Sequence, residues 1–544
     1  MKKNWIWKLI AVLAVLIIAG IYYYVTLPAI NLHSSGFWGF LIGAVVVLVA
    51  AFGMFKSHRG EDVRHSVGLK VGVGIVLLLL VVFLAGSLLS SPIVNAKKYQ
   101  ALITVETRNF SEDIKEADYS QIPLLDKDSA TLLGNRKMGS MVDMVSQFEV
   151  SSLYTQINYQ DKPVRVTPLV YASPIKWLTN QKEGIPAYIM IDMTNENTEL
   201  VKLEEGMKYS QSEYFNRNVY RHLRFRYPTY IFDDFSFEIN DDGIPYWICP
   251  VKKFNIGLFG GVTIGRVVLC NAITGETEDY AVEDCPTWVD HVFSADMLIQ
   301  LYDYYGSLKN GYLNSILGQK GCLRTTSGYN YLALEDDVWV YTGITSVSGD
   351  LSNVGFVLMN QRTMECRYYE INGAEEYSAM SSAEGQVQNL RYTATFPLLL
   401  NVGGEPTYFM ALKDGAGLVK KYAMVNIQKY QNVAIGDTVL ECQENYMELL
   451  EENGIASGMP ANDGEEKTVS GKILKIAEGV VEGNSHYYLM LDGNDQIFDI
   501  NVPEYLEIIR YEAGDEITLR YLDAEPAALV TGIGKTQKDH SAGE

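Results

Sequence analysis

The sequence predicts a membrane-anchored α+β protein built in three parts: three N-terminal transmembrane helices, a tandem α+β outer region, and a small C-terminal β-barrel. Three observations lead there. The first 92 residues carry three long apolar runs without a charge. The middle of the chain alternates apolar and polar residues with period two, interrupted by a few helical patterns. The last segment reads strand, strand, strand, short helix, strand, strand. At 544 residues the chain exceeds one ordinary domain, and 48% apolar content is too high for a disordered one. Charge divides sharply along it. Residues 1–92 hold seven basic and two acidic side chains; the rest hold 37 and 64, nets of +5 and −27 within the total of −22. That split excludes a purely soluble chain. It also makes the large part a poor binder of nucleic acid or anionic lipid, whose phosphates its field repels.

The apolar runs are 9–25, 37–55 and 71–89. Each is about long enough to cross a hydrocarbon core of roughly 30 Å as a helix. Helix is the default there, because lipid offers the backbone no hydrogen-bond partner. Trp5 and Trp7 at one end of the first run, and Tyr22, Tyr23 and Tyr24 at the other, suit the membrane–water interface. A cleaved signal peptide would need small residues where those tyrosines stand. The N-terminus and the loop 56–65 are basic, whereas the loop 28–36 has no charge. Basic segments stay on the cytoplasmic side, so the N-terminus is expected inside and residues 93–544 outside, with Lys97 and Lys98 weakly opposing. No Glu, Asp, Lys or Arg lies within the runs, which points to anchoring in the lipid bilayer rather than to an ion path.

A connecting segment, 93–150, leads into the outer region, 151–451. Strand-like runs fall at 187–193, 230–239, 246–249, 262–270, 338–345, 354–358, 394–402, 407–412 and 422–428. Ser294 is placed to cap a helix over 295–306, and Asp437 one over 438–453. A repeat underlies the pattern: an acidic or glycine turn, an aromatic strand, a loop, an aliphatic strand and a polar turn. Counting from Trp247, Trp339 and Tyr408 to Leu269, Leu358 and Val425 gives gaps of 22, 19 and 17, the mark of recurring hairpins.

One stretch of this repeat runs from Gly243 to Trp247 (Gly-Ile-Pro-Tyr-Trp) and on to Thr274-Gly275-Glu276. It resembles the PepSY repeat of secreted bacterial proteins, over about 60 residues. The whole layout resembles large membrane-anchored surface proteins of Gram-positive bacteria. The resemblance implies a cell-envelope location and transfers no catalytic residue. PepSY-like modules in other proteins accompany peptidases, which implies a second possible role as an envelope hydrolase or its regulator.

The segment 452–466, rich in glycine, asparagine and acidic residues, is expected to be a linker. The last domain, 467–535, has strands at 468–476, 486–491 and 496–502, a helix at 503–511, and strands at 516–522 and 528–532. That is the order of an OB-like barrel, and Gly471 in the first strand suits a barrel bend. A loose tail, 536–544, follows.

Chemical motifs are sparse. The outer part has His222, His291, His486 and His540, with no HExxH, no CxxC pair and no EF-hand loop, so no metal and no cofactor is expected. No GxSxG elbow or Walker loop occurs, so no catalytic residue is assigned. The six cysteines, even in number and all placed outside, permit disulfides. Cys249 and Cys270, on the two strands of one hairpin, fall opposite each other if its turn centres near 258–261 and could then bridge; buried free thiols acting as small hydrophobes are the favoured reading. Residues 217–227 read RNVYRHLRFRY. Arg217, Arg221, Arg224 and Arg226 there offer forked donors for an anionic envelope polymer or a carboxylate, against internal pairing with Asp233 or Asp234. In the barrel, Tyr487, Tyr488, Phe498, Tyr505 and Tyr521 invite base stacking, but six basic and twelve acidic residues oppose nucleic acid. The expected role is therefore non-catalytic binding or scaffolding of proteins or glycans outside the cytoplasmic membrane. A hydrolase or its regulator, or a subunit of a larger membrane complex packing through Gly43, Gly72, Gly74 and Gly86, are the alternatives.

Overall fold

The computed structural model describes residues 13, 16–58, 66–117, 122–346, 352–453, 467–481, 484–494, 496–502, 505–522 and 527–534. Two helices, Ser35–His58 and Val67–Leu89, are long and apolar enough to cross a membrane. Almost none of their surface is buried in protein, as a lipid-facing helix requires. Of the first predicted span only a shorter apolar helix, Leu16–Thr26, is described. Among the described residues two helices of spanning length stand; the start of the first expected span lies outside the described residues. Residues 1–12, most of the basic loop 56–65, the linker from 454 on and the tail lie outside the described residues.

Residues up to Ala434 form one compact unit. Within it the described residues contain four successive copies of one strand plan, the four strand units. In each, a strand makes a tight turn into a longer central strand, and the next strand returns antiparallel along it. The central strands are Lys162–Tyr171, Pro245–Ile256, Asp337–Ser346 and Glu405–Lys413. They follow Thr155–Tyr159, Ser236–Ile239, Asn330–Leu334 and Leu398–Val402. They pair onward with Ile185–Asp192, Gly260–Asn271, Gly355–Asn360 and Val419–Asn426. The far half of each central strand takes one more partner from upstream: Phe148–Val150, a single bridge from Phe232, Leu323–Thr325 and Thr393–Ala394. Recurrence is thus a property of the backbone, not only of composition.

Register corrects the alignment of the repeats. Tyr408 does face Val425, but Trp247 faces Cys270 rather than Leu269, and Trp339 faces Asn360 rather than Leu358. The three tightest turns have two central residues each, all at positive φ: Gln160-Asp161, Glu335-Asp336 and Gly403-Gly404. This is the turn whose twist suits antiparallel strands, and glycine adopts it without strain.

The sheets are layered. Central strand Pro245–Ile256 is apolar on both faces because both are covered. Trp247, Cys249 and Val251 face a core shared with the first unit, including Val166, Ile189 and Met207. Ile248 faces the other way, with Val267 and Leu269, onto helix Ala295–Ser307 and the third unit's Val340, Val357 and Met359. Ser294 caps that helix by accepting from the Met297 amide, as expected. The connecting segment 93–150 is woven into these layers. Val105–Arg108 adds a parallel strand beside Cys366–Tyr369, Ala117 donates to the Asn401 carbonyl, and Leu124 donates to Met193.

A second compact part of the chain, separate from the four strand units, runs from Ile435 to the end. Its helix Val439–Glu452 is capped by Thr438, not Asp437. The Thr438 hydroxyl accepts from the Glu441 amide, and the Glu441 carboxylate reaches back to the Asp437 amide. The barrel is closed in the order Lys467–Val481, Asn484–Leu491, Ile497–Asn501, Ala528–Gly534, Glu516–Leu522. Its first strand changes partner partway. Lys467–Lys472 pair with Glu516–Tyr521, and Ile473 onward with Asn484–Leu491. Gly471 sits at that change of partner, where a β-carbon would press on the Leu491 side chain. Phe498 and Tyr521 meet edge to face in the core, which accounts for two of the barrel's aromatics as packing.

Candidate functional site

A cleft of about 420 Å³ opens where three of the four strand units meet the start of helix Lys127–Gly139. Gln156 and Arg165 come from neighbouring strands of the first unit, where they are cross-strand partners. Ser236 opens the second unit, and His291 stands in the loop before helix Ala295–Ser307. Tyr329, Asn330 and Tyr331 begin the third unit, and Phe396 precedes the fourth. Asp126, which caps helix Lys127–Gly139, and Asp128 lie at the helix end.

The polar groups of the cleft are unevenly partnered. Arg165 is 5% exposed. Its Nη2 donates to Oε1 of Gln156 at 3.2 Å, a neutral acceptor, and its buried Nε has no partner. Among the described residues no carboxylate lies within ion-pair distance of it, and burial lowers its affinity for its proton. The Gln156 amide nitrogen is also buried without a partner. His291 Nε2 lies 2.6 Å from the Gln156 carbonyl, so the neutral ring carries its proton there, and burial holds its pKa down to about 4. Asp126 is already matched, by Lys413 at 2.5 Å. Asp126 and Asp128 favour the charge of Arg165 only from beyond ion-pair distance, and a buried cation without an ion pair is costly, on the order of several kcal/mol in typical cases.

Behind the cleft lie two buried carboxyl groups. Glu238 accepts from the backbone amides of Asp290 and His291 and from the Ser236 hydroxyl. Asp290 accepts from the Asn158 amide at 2.7 Å and leaves its second oxygen unpartnered. Burial pushes Glu238 up to about 7; burial and then the charge of Glu238 push Asp290 well up. Neither group lines the cleft. They tie the loop that carries His291 to the first two units.

The arginines of 217–227 are placed elsewhere. Two of them, Arg221 and Arg224, seat the folded part on the end of helix Leu16–Thr26. Arg221 Nε donates to the Tyr24 carbonyl and its guanidinium lies 4.3 Å above the Tyr24 ring. Arg224 Nε donates to the Leu27 carbonyl at 2.9 Å, and its Nη1 to Tyr230 at 2.6 Å. Arg217 donates to the Gln181 carbonyl. Arg226 is exposed. Cations at a helix C-terminus satisfy its orphan carbonyls and oppose its dipole. The expected internal partner, Asp233, pairs with Lys252 instead. A second contact completes the seat. The hairpin tip between Pro245–Ile256 and Gly260–Asn271 brings the Leu258 and Phe259 amides to the Ser90 hydroxyl and sets the Phe259 ring tilted against Phe83 and edge to face with Trp38.

All six cysteines are buried free thiols. Cys249 pairs in register with Val268 and Cys270 with Trp247, so the two lie diagonally, two positions apart, and are not bonded. Among the described residues no cluster of metal-ligating side chains occurs. Arg165 and Gln156 are not among the site residues expected from the sequence; the signal for Arg165 is Val164-Arg165-Val166, a charge inside an apolar strand. No protein-family model and no curated protein matches the chain.

Proposed function

We propose that this is a non-catalytic membrane-anchored protein of the cell envelope, which binds or scaffolds proteins or glycans outside the cytoplasmic membrane. The four strand units are taken as PepSY-like modules and the terminal barrel as OB-like. One observation carries the reading: an open cleft, lined by side chains from three of the units, contains polar groups left without partners in the free protein. The same compact unit is fastened to the helix ends through Arg221, Arg224 and Ser90, which supports a binding body held directly above the bilayer. The sidedness rests on the basic N-terminal residues.

Two experiments test this. Detergent-solubilised protein should co-purify envelope proteins or glycans, and the Y329A variant, which removes an aromatic wall of the cleft, should lose them. If nothing co-purifies and the protein instead cleaves peptidoglycan or peptides, the binding role is wrong. Protease added to cells stripped of wall should remove the acidic bulk of the chain; survival in whole cells with loss after lysis would put that bulk in the cytosol.

A further inference from the structure

We propose that the cleft binds a single carboxylate, which pairs with Arg165, with the planar or apolar remainder of the ligand against Tyr329, Tyr331 and Phe396. The inference deepens the binding role above and rests on it. A buried guanidinium is normally matched by an acid, because water no longer stabilises its charge. Arg165 has only the neutral Gln156 oxygen, and both its Nε and the Gln156 amide nitrogen are unpartnered. The acids nearby do not serve. Asp126 is taken by Lys413, Asp128 acts on Arg165 only from beyond ion-pair distance, and Glu238 and Asp290 face backbone amides behind the cleft. The cleft itself remains open beside the guanidinium, with room for a compact acid.

The surroundings limit the charge of the ligand. Asp128 lines the same cleft, so a second negative charge would meet repulsion. A monoanionic carboxylate fits this field better than a phosphate or a polyanion. Three aromatic rings on the wall supply area for an apolar body without adding charge. A forked guanidinium–carboxylate pair also supplies orientation, which a lysine would not. The carboxylate could be that of a free small acid or of a peptide C-terminus, since both present the same group.

The test uses the full-length solubilised protein and four probes. Benzoate and N-acetyl-phenylalanine carry the carboxylate on a small acid and on a peptide-like end; benzamide and N-acetyl-phenylalaninamide are their neutral counterparts. Titration calorimetry should give binding of at least one acid about tenfold or more tighter than its amide, the size expected for a charge-assisted bond in a dry site. R165M should abolish the preference, and R165K should keep only part of it. The unliganded R165M protein should melt no lower than the wild type, because it sheds an unmatched charge. Equal binding of acids and amides overturns the proposal, as does no binding of any probe. A lower melting temperature for R165M would make Arg165 structural and overturn it too. Partners that still co-purify in those cases would leave the wider binding role standing.

Discussion

Glu238 accepts three hydrogen bonds in a site that no water reaches, and its pKa rises to about 7 because burial penalises its charged form more than those bonds favour it. The sign of the consequence follows from linkage. Between the ordinary carboxyl value and about 7, the folded chain holds a proton that the unfolded chain has released. Stability contributed by Glu238 is therefore present at low pH and is lost as pH rises through that window. E238Q, which cannot ionise, should flatten this part of the curve of melting temperature against pH; an unchanged slope would mean that Glu238 titrates normally. The cysteines offer a second check. Burial raises Cys270 and Cys285 to about 12 and also pushes the Cys249 thiol well up. In native protein a thiol reagent at mildly alkaline pH should find almost no reactive cysteine, and in denaturant without reductant it should find six. A count of four would mean that Cys249 and Cys270 had bridged. Among the buried aromatics, Trp247 joins the shared core of the first two units and donates to the Tyr209 carbonyl. W247A should cost about 3–5 kcal/mol in denaturant unfolding.

The tight turns repeat in backbone but not in residue type. Gly403-Gly404 accepts positive φ freely, whereas Gln160-Asp161 pays for it with Cβ crowding. Both residues of that turn are exposed. Replacing the pair by Asn-Gly should raise stability by about 1 kcal/mol, read as a higher denaturation midpoint at constant slope. The hairpin tip near the helix ends works in the opposite sense. A β-carbon on Gly260 would fall 2.1 Å from the Ser90 carbonyl oxygen and 2.4 Å from the Tyr99 hydroxyl. G260V should therefore lift the tip from its seat, and amide exchange should quicken at Leu258 and Phe259 while the barrel strands stay protected. Unchanged exchange at those amides would show that the tip does not bear on Ser90.

Across the whole chain, apolar runs and alternation were readable because they depend on local rules: 3.6 residues per helical turn and two per strand period. They located the two long helices, most central strands, the Ser294 cap and the barrel order with its bend at Gly471. Long-range choices were not readable in this way. Nothing local says that Val105–Arg108 joins a sheet beside Cys366, or that Asn401 bonds the connecting segment. The arginines of 217–227 were visible as a cluster. Their carbonyl partners at Tyr24 and Leu27, about two hundred positions earlier, were not.

Composition and periodicity alone established the charge split, the apolar helices, a strand-rich repeating middle and a closing five-stranded barrel, because each is written in the spacing of neighbouring residues. Which hairpin positions face each other, that Cys249 and Cys270 stay unbonded, and that Arg165 stands beside an open cleft without an acid were settled by register and by the packing of one unit on another. Those depend on contacts between residues far apart in the chain, and a buried charge reveals its missing partner only when everything around it is in place.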